Sequence, residues 1–295
     1  MKDYLIRGID ESGNIRIFVA NTTNLVEDAR KTHNTNATGS AALGRALTAG
    51  ALMGTMLKND EDVLTLSING NGPAKGLHVV SKNDGNVKGY LIDPTVDVPN
   101  KPNGKLDVGG LIGNEGILTV IMDLGLKEPY IGKSKLVTGE IAEDIANYYA
   151  ISEQQPSAVS LGVLVDVDYS IKAAGGYILQ LLPGVKDEDI DRIEDNLRNA
   201  KTVSEYISEG LSPEQIMDEV LKGFNPKVLE TKELSYKCDC SRERTEKALI
   251  SLGEKEIRDI IEEDQGAELV CHFCDSKYKF TKEDLEEILL TINQN

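Results

Sequence analysis

Cysteine is absent from the first 237 residues of this 295-residue chain, and all four cysteines lie within residues 238–274. A secreted disulfide scaffold distributes its cysteines across the fold, so this clustering argues against that class. Histidine is also scarce, because His33, His78 and His272 are the only three. Hydrolases that pair a serine or cysteine with histidine therefore have few possible bases here. We expect no enzyme activity, and structural or surface roles for His33 and His78.

Long apolar runs are missing as well. No stretch approaches the roughly 20 apolar residues that a membrane-spanning helix requires. The first seven residues, Met1 to Arg7, lack the apolar core and the small-residue cleavage site of a signal peptide. We therefore expect a cytoplasmic protein with no membrane partner.

Signals for nucleotide or nucleic-acid binding are weak. Gly132-Lys133-Ser134 is similar to the end of a phosphate-binding loop, but Lys127 stands where that motif requires its first glycine. The formal net charge is −17, and most of the acidic excess lies in residues 186–295. Such a surface repels phosphate backbones. We expect neither a nucleotide nor a nucleic acid as a partner.

Three segments can be distinguished, and together they predict an α+β protein. Residues 1–184 show many short apolar runs separated by Gly, Pro and Asn turns, with too little chain between them for parallel crossovers. This pattern predicts an N-terminal domain of antiparallel sheets with packed helices. The predicted strands are near residues 4–7, 15–19, 63–68, 76–80, 87–92, 117–122, 158–167 and 170–182, and the predicted helices near 25–31, 40–57 and 139–151.

Residues 185–233 predict a helical linker region. Ile190, Ile193 and Leu197 form a thin apolar stripe among acidic residues. Capping boxes begin at Thr202 and at Ser212, where proline follows at the first helical position. Such short acidic helices have too few apolar residues for a core of their own, so they must lie on another surface. We expect these helices to have no strand partners, and the linker that they form to be only marginally attached.

Residues 234–295 predict a small C-terminal domain that carries the cysteines. Ser241 is a cap for one helix, and residues 254–264 predict a second. Residues 268–270 and 278–280 predict a hairpin, whose tight end is Cys271-His272-Phe273-Cys274. A last helix begins after Thr281.

The four cysteines predict one structural zinc ion, held by Cys238, Cys240, Cys271 and Cys274. Zinc with four thiolates is tetrahedral, and both the Cys-x-Cys and the Cys-x-x-Cys spacing can direct two sulfurs toward one metal. Four unrelated buried thiols would not show this pairing. A thioredoxin-like dithiol would require a surrounding βαβ pattern, which is missing. His272 lies between two ligands, and with four thiolates present we interpret it as a bystander.

A zinc ion would decide whether this small domain folds. A core of about 60 residues contributes roughly 3–5 kcal/mol, whereas structural zinc contributes about 10–16 kcal/mol in small peptides. The segment should therefore be largely unfolded without metal. Zinc-bound sulfurs are thiolates, which is the form that oxidants attack. Oxidation would remove the ligands and release the metal.

The chain closely resembles the redox-regulated heat-shock chaperone family, whose members are bacterial heat-shock proteins of thirty-three kilodaltons. The resemblance covers essentially the whole chain, and its most specific part is the cysteine pattern with a 30-residue gap between the pairs. The residues that carry it are Cys238 to Arg244, Cys271 to Cys274, Tyr278, Phe280, Gly44-Arg45, Gly72-Pro73, Gly89-Tyr90, Ser152 to Gln154, Gly175-Gly176 and Leu182-Pro183.

The resemblance implies a heat-shock and stress-response chaperone that holds unfolding proteins without ATP. It implies an inactive reduced form with one zinc ion per chain, and an active oxidised form with disulfides Cys238–Cys240 and Cys271–Cys274. Loss of zinc would unfold the switch and release the linker, which exposes apolar surface to client proteins. Homodimerisation on activation is also implied. The alternatives are a zinc-ribbon protein that binds nucleic acid and a thiol–disulfide oxidoreductase.

Overall fold

The computed structural model describes residues 2–292, which form thirteen strands, ten α-helices and one π-helical turn. The strands are β1 (Tyr4–Ile9), β2 (Ile15–Asn21), β3 (Val63–Gly70), β4 (Leu77–Lys82), β5 (Asn86–Leu91), β6 (Gly116–Asp123), β7 (Tyr130–Lys135), β8 (Ser157–Val165), β9 (Ile171–Leu181), β10 (Lys227–Glu233), β11 (Ser235–Tyr236), β12 (Gly266–Val270) and β13 (Lys277–Thr281). The helices are α1 (Thr23–His33), α2 (Ala37–Gly54), α3 (Val108–Ile112), α4 (Ala142–Tyr148), α5 (Asp187–Asn199), α6 (Val203–Ser208), α7 (Pro213–Val220), α8 (Arg242–Ile250), α9 (Glu254–Asp264) and α10 (Lys282–Ile292), and the π turn Tyr149–Glu153 follows α4.

Two compact units divide the chain, Met1–Lys237 and Cys238–Asn295. The first unit contains a five-stranded sheet of order β10-β1-β2-β9-β8 and a six-stranded sheet of order β11-β5-β4-β3-β6-β7. Every pairing is antiparallel except that of β11 with β5, which is parallel. The predicted α+β fold with antiparallel sheets is confirmed. The three-segment division into residues 1–184, 185–233 and 234–295 stays a prediction.

Helix α2 forms the centre of the first unit and packs against strands of both sheets. Sixteen of its 18 residues are buried, and a surface made mostly of apolar and small residues suits this position. Its glycines allow close approach, since a Cβ on Gly50 would lie 2.5 Å from Cγ1 of Val79. The Asn36 side chain caps the helix by accepting a 2.7 Å hydrogen bond from the Gly39 amide. The small residues of this helix therefore allow it to pack closely against the sheet.

The linker region differs from its prediction in one respect. Its last seven residues form strand β10, which pairs antiparallel with β1 at the edge of the five-stranded sheet. The region predicted as a helical linker therefore ends in a strand that was not predicted. The sequence of β10 is mostly charged and exposed, which is typical of an edge strand and gives little apolar signal. Strands β7 and β11 and the short helix α3 were likewise not predicted.

The second unit is built from α8, α9, the β12–β13 hairpin and α10. These elements surround a core of seven buried residues, Leu249, Ile257, Ile261, Phe280, Leu285, Ile288 and Leu289. All four elements correspond to predicted ones. The core is small, so the unit has little apolar burial with which to offset the entropy of ordering its chain.

No helix within residues 2–292 has the length and apolar character that crossing a bilayer requires.

Candidate metal centre and the covered apolar face

Four sulfur atoms converge at one place in the second unit. The Sγ atoms of Cys238, Cys240, Cys271 and Cys274 all lie within 4.8 Å of one another. The Cys240 and Cys274 sulfurs are 3.3 Å apart, and those of Cys238 and Cys271 are 3.7 Å apart. A tetrahedral site with metal–sulfur bonds of 2.3 Å has sulfur–sulfur edges of about 3.8 Å. The four thiols are therefore placed to bind one metal ion.

The hairpin turn between β12 and β13 presents two of these sulfurs. The carbonyl oxygen of Cys271 accepts hydrogen bonds from the amides of Cys274, at 3.3 Å, and Asp275, at 2.8 Å. Asp275 adopts a left-handed conformation with φ of 55°, which Asp tolerates better than most residues. The Cys271 amide donates a 2.9 Å hydrogen bond to the Ser276 carbonyl and closes the turn. A tight turn with this register places both side chains on one side.

The other two sulfurs belong to the segment Cys238–Cys240, which we call the arm. Arg242 follows this arm and contacts the hairpin. Its guanidinium lies 4.3 Å from the centre of the Phe280 ring and donates a 2.6 Å hydrogen bond to the Lys279 carbonyl. The same group is 2.9 Å from Oδ2 of Asp284. Ser241 caps α8 by accepting a 3.3 Å hydrogen bond from the Arg244 amide. The arm is thus held by a guanidinium that stacks on an aromatic ring and uses several of its N–H groups at once, which lysine could not reproduce.

Without a bound metal ion, the cysteine thiols differ in their pKa values. Burial raises the pKa of Cys238 and of Cys271. Burial acts on Cys274 in the same direction, but hydrogen bonds with the side chain and backbone of Ser276 and with the Cys240 and Cys271 thiols outweigh it and lower its pKa to about 7. The Tyr278 hydroxyl donates a 3.1 Å hydrogen bond to Sγ of Cys240. Of the four thiols, Cys274 is therefore the one shown to be shifted toward the thiolate, which is the metal-binding form.

His272 stands apart from the cluster of ligand atoms. Within residues 2–292, the group of mutually close ligand atoms at this place contains the four cysteines only. This placement agrees with its interpretation as a bystander. Ser276 was not predicted as a partner of the site, because a serine in isolation does not signal a position beside a metal.

A second feature lies in the first unit, where helices α5, α6 and α7 cover one face of the five-stranded sheet. The strands β1, β2 and β9 contribute the apolar side chains of Ile6, Ile15, Ile17, Val19, Ala173, Tyr177 and Leu179 to this face. The helices and the turn after them contribute Ile193, Val203, Tyr206, Ile207, Ile216, Met217, Val220, Leu221 and Phe224. We call the strand residues of this cluster the covered face. It is separate from the core around α2.

Polar contacts at the rim fasten these helices to the sheet and to one another. The Tyr4 hydroxyl of β1 donates a 2.7 Å hydrogen bond to Glu214 of α7. The Asn196 side chain of α5 donates to the carbonyls of Val220, at 3.1 Å, and Lys222, at 3.0 Å. Both predicted capping boxes, at Thr202 and Ser212, are present. The ends of these helices are therefore encoded by local capping residues, but their apolar side chains depend on the sheet for burial.

The other candidate residues from the sequence lie in strands or contact neighbouring side chains of the fold. Gly132-Lys133-Ser134 lies in strand β7, so it does not form a phosphate-binding loop. The His33 ring is 2.8 Å from the Tyr236 hydroxyl. The His78 ring packs against Tyr90 with ring centres 5.4 Å apart. Glu153, in the π turn, accepts a 2.5 Å hydrogen bond from the Tyr148 hydroxyl.

Comparison with known proteins gives a consistent result. The family model described as Hsp33 protein matches residues 3–281. A protein named 33 kDa chaperonin from Alkaliphilus metalliredigens is 50% identical over 289 residues, which cover 98% of this chain and 99% of that one. One of the same name from Clostridium perfringens is 51% identical over 290 residues, covering 98% and 91%. The crystal structure of a 33 kDa chaperonin, a heat shock protein 33 homologue from Thermotoga maritima, superposes with a TM-score of 0.92 at 37% identity and covers 100% of both chains. The chain therefore belongs to the Hsp33 family of heat-shock chaperones.

Proposed function

We propose that this protein is a redox-regulated holdase, which binds unfolding proteins without ATP and is switched on by oxidation of its four cysteines. These sulfurs converge in a unit whose described residues, 238–292, include a core cluster of seven buried side chains, and this observation carries the proposal. The names of its relatives, 33 kDa chaperonins, support the chaperone class.

Zinc is the metal that a site of four thiolates favours. One zinc ion per reduced chain would hold Cys238, Cys240, Cys271 and Cys274 and would supply about 10–16 kcal/mol toward folding. The described residues fit this role, because the sulfur–sulfur distances of 3.3 and 3.7 Å are close to a tetrahedral edge.

Oxidation converts thiolates into disulfides. For each disulfide, two thiolates and two protons are consumed by one peroxide molecule, which is reduced to two molecules of water. We propose the pairing Cys238–Cys240 and Cys271–Cys274. Such disulfides close very small loops, which constrain little of the unfolded chain. Their stabilisation does not replace that of the metal, so the second unit unfolds.

The covered face supplies the proposed client site. Helices α5 to α7 depend on this face for their burial, and their own sequences are short and acidic. Their release would expose a continuous set of apolar strand residues, which is the kind of surface that binds unfolded chains. We further propose that the released form is a homodimer and that the protein acts in the cytoplasm on a range of unfolding clients.

The test uses the reduced, zinc-loaded full chain, treated with hydrogen peroxide at raised temperature. We expect release of one zinc per chain, measured with a chromogenic chelator, together with suppressed aggregation of an unfolding client, measured by light scattering. Addition of dithiothreitol before the oxidant is the control and should prevent both. Suppressed aggregation with all zinc retained would contradict the proposed coupling.

Peptide mapping of the oxidised chain tests the pairing. Trapping of free thiols followed by proteolysis should give Cys238–Cys240 and Cys271–Cys274 within single peptides. The competing pairing joins Cys240 to Cys274, whose sulfurs are 3.3 Å apart. A dominant cross-linked peptide of that kind would refute the near-neighbour pairing.

A further inference from the structure

A cavity of about 260 Å³ opens to the surface beside the C-terminal end of α2. Three of its lining residues are methionines, namely Met53, Met56 and Met122. The chain has five methionines, and of the remaining two Met1 lies outside the described residues, whereas Met217 belongs to the covered cluster under α7. Thioether groups are therefore concentrated at this one opening.

The methionines of the cavity differ in access. Met56 and Met122 are partly exposed, whereas Met53 is only 3% exposed. Met217 is also buried, at 2% exposure, among apolar side chains. A dissolved oxidant can therefore reach Met56 and Met122 without unfolding of the protein.

Met56 differs from Met122 in its polar neighbours. The Tyr149 hydroxyl donates a hydrogen bond to Sδ of Met56 over 3.3 Å. The Arg16 side chain lines the same cavity, and its terminal nitrogen donates a 2.7 Å hydrogen bond to Gln180. Its Nε atom is buried and has no hydrogen-bond partner among the residues described. The Met56 sulfur thus accepts one hydrogen bond from Tyr149, and the cavity beside it is also lined by a guanidinium that carries one donor without a partner among the described residues.

We propose that Met56 is a site of reversible oxidation by hydrogen peroxide or hypochlorous acid, promoted by Tyr149 and Arg16. The sulfur lone pair attacks one oxygen of the peroxide, and the O–O bond breaks. Its second oxygen leaves with the electron pair, takes up the proton of the first and becomes water. Hypochlorous acid reacts in the same way and yields chloride and a proton. In both cases the thioether becomes a sulfoxide and the oxidant is reduced by two electrons.

The two donors stabilise the charges of this step. Negative charge develops on the departing oxygen, and the positive charge of the Arg16 guanidinium, which lines the same cavity, lowers the cost of that charge. The phenol remains a donor throughout, because burial raises the pKa of Tyr149. After the reaction, the sulfoxide oxygen is a stronger acceptor than sulfur and can take the hydrogen bonds of Tyr149 and Arg16. The cavity provides the volume, so the modified side chain stays in the folded protein, and sulfoxide reductases can restore it.

This site is independent of the cysteine cluster and of the proposed chaperone switch. Its test is mass spectrometry of the full chain after limited oxidation in the reduced state. Cleavage at Arg45 and Lys58 places Met53 and Met56 in one peptide, so fragment ions compare them within the same molecule. We expect sulfoxide at Met56 to form at least ten times faster than at Met53 or Met217.

Access alone would also favour Met56 over a buried methionine, so a second comparison is needed. Tyr149→Phe removes only the donor to Met56, and we expect it to slow sulfoxide formation there about five-fold, the effect of losing one net hydrogen bond. Met122 should be unaffected. Tyr148→Phe is the matched control, because its hydroxyl bonds to Glu153 instead. Arg16→Lys keeps the charge but removes Nε, and it should also slow the reaction at Met56.

Two outcomes would overturn the proposal. Equal rates at Met56 and Met53 would show that the opening does not admit the oxidant. Met56 could instead oxidise faster than Met53, but at the same rate in Tyr149→Phe and Arg16→Lys as in the Tyr148→Phe control. That result would show that exposure alone sets the rate. If one variant does not fold, the other decides between these results.

Discussion

The hydroxyl of Tyr4 donates a 2.7 Å hydrogen bond to Oε2 of Glu214, and this bond joins β1 to helix α7 across 210 residues of sequence. Burial, which contributes most, and the carboxylate of Glu214 together raise the pKa of Tyr4 to about 12. Partial burial alone would raise the pKa of Glu214, but hydrogen bonds from Ser212 and Tyr4 outweigh it and lower the pKa. The attachment of α7 therefore depends on the ionised form of Glu214.

Attachment of the linker helices should weaken in acid through this residue. A carboxyl group whose pKa is lowered on folding contributes stability above its unfolded pKa, here about 4.5. That contribution is lost as the pH falls through the folded value. Glu214→Gln cannot ionise, so it should be less stable than the parent at pH 7 and should approach it below pH 4. Urea unfolding of both proteins across this range gives the difference. A difference that does not change with pH would contradict the assignment.

The covered face should become available when α5 loses its buried anchor. Ile193 is 3% exposed and lies in the cluster under the linker helices. Ile193→Ala should weaken attachment by about 2–3 kcal/mol and give partial suppression of client aggregation without oxidant. Glu194→Ala is the matched control, because the neighbouring side chain is exposed. Hydrogen exchange of residues 187–220 reports the release directly. If the two variants hold clients equally poorly under reducing conditions, the linker is not the cover.

Elements with regular apolar periodicity could be predicted from the sequence. Helix α2, the hairpin of β12 and β13 and both capping boxes at Thr202 and Ser212 were predicted close to their observed positions. The cysteine cluster was also predictable, since paired spacing is a local property of the chain. Its convergence in the structure shows that the 30-residue excursion does fold back.

Elements that depend on distant partners could not be predicted. Strand β10 is stabilised by pairing with β1, more than 200 residues earlier, and its exposed, mostly charged sequence has no apolar face to mark it. Strand β7 has the same difficulty, because only Gly132 and Ser134 of its six residues are buried. The contact of Tyr4 with Glu214 likewise arises only from the register of the fold. Propensity and periodicity do not encode such long-range pairings.

Removal of the metal should unfold the second unit and leave the first folded. Its core of seven buried residues cannot by itself offset the cost of ordering about 55 residues. We expect a strong zinc chelator under reducing conditions to abolish hydrogen-exchange protection in α8, α9 and α10. Strands β2, β9 and β3 of the first unit should keep theirs. Added zinc should restore the protection, whereas magnesium should not. Retained protection in α9 after complete chelation would show that the metal is not structural.

Arg242 should control how firmly the reduced site keeps its metal. Its guanidinium stacks on Phe280, donates to the Lys279 carbonyl and pairs with Asp284, so it ties the Cys238–Cys240 arm to the hairpin that carries the other two ligands. Arg242→Lys keeps the charge but loses the planar fork and most of the stacking.

Zinc loss to a competing chelator should therefore be about 2- to 5-fold faster in Arg242→Lys, the range expected for one exposed cation–π contact. Arg258→Lys is the matched control, because Arg258 pairs with the exposed Glu254 one helical turn away, and this variant should release zinc at the parental rate. The release rate is followed by absorbance of the chelator–zinc complex at fixed pH. Equal rates in the two variants would mean that the arm is held by the metal alone, and that the contact of Arg242 with the hairpin contributes nothing to retention.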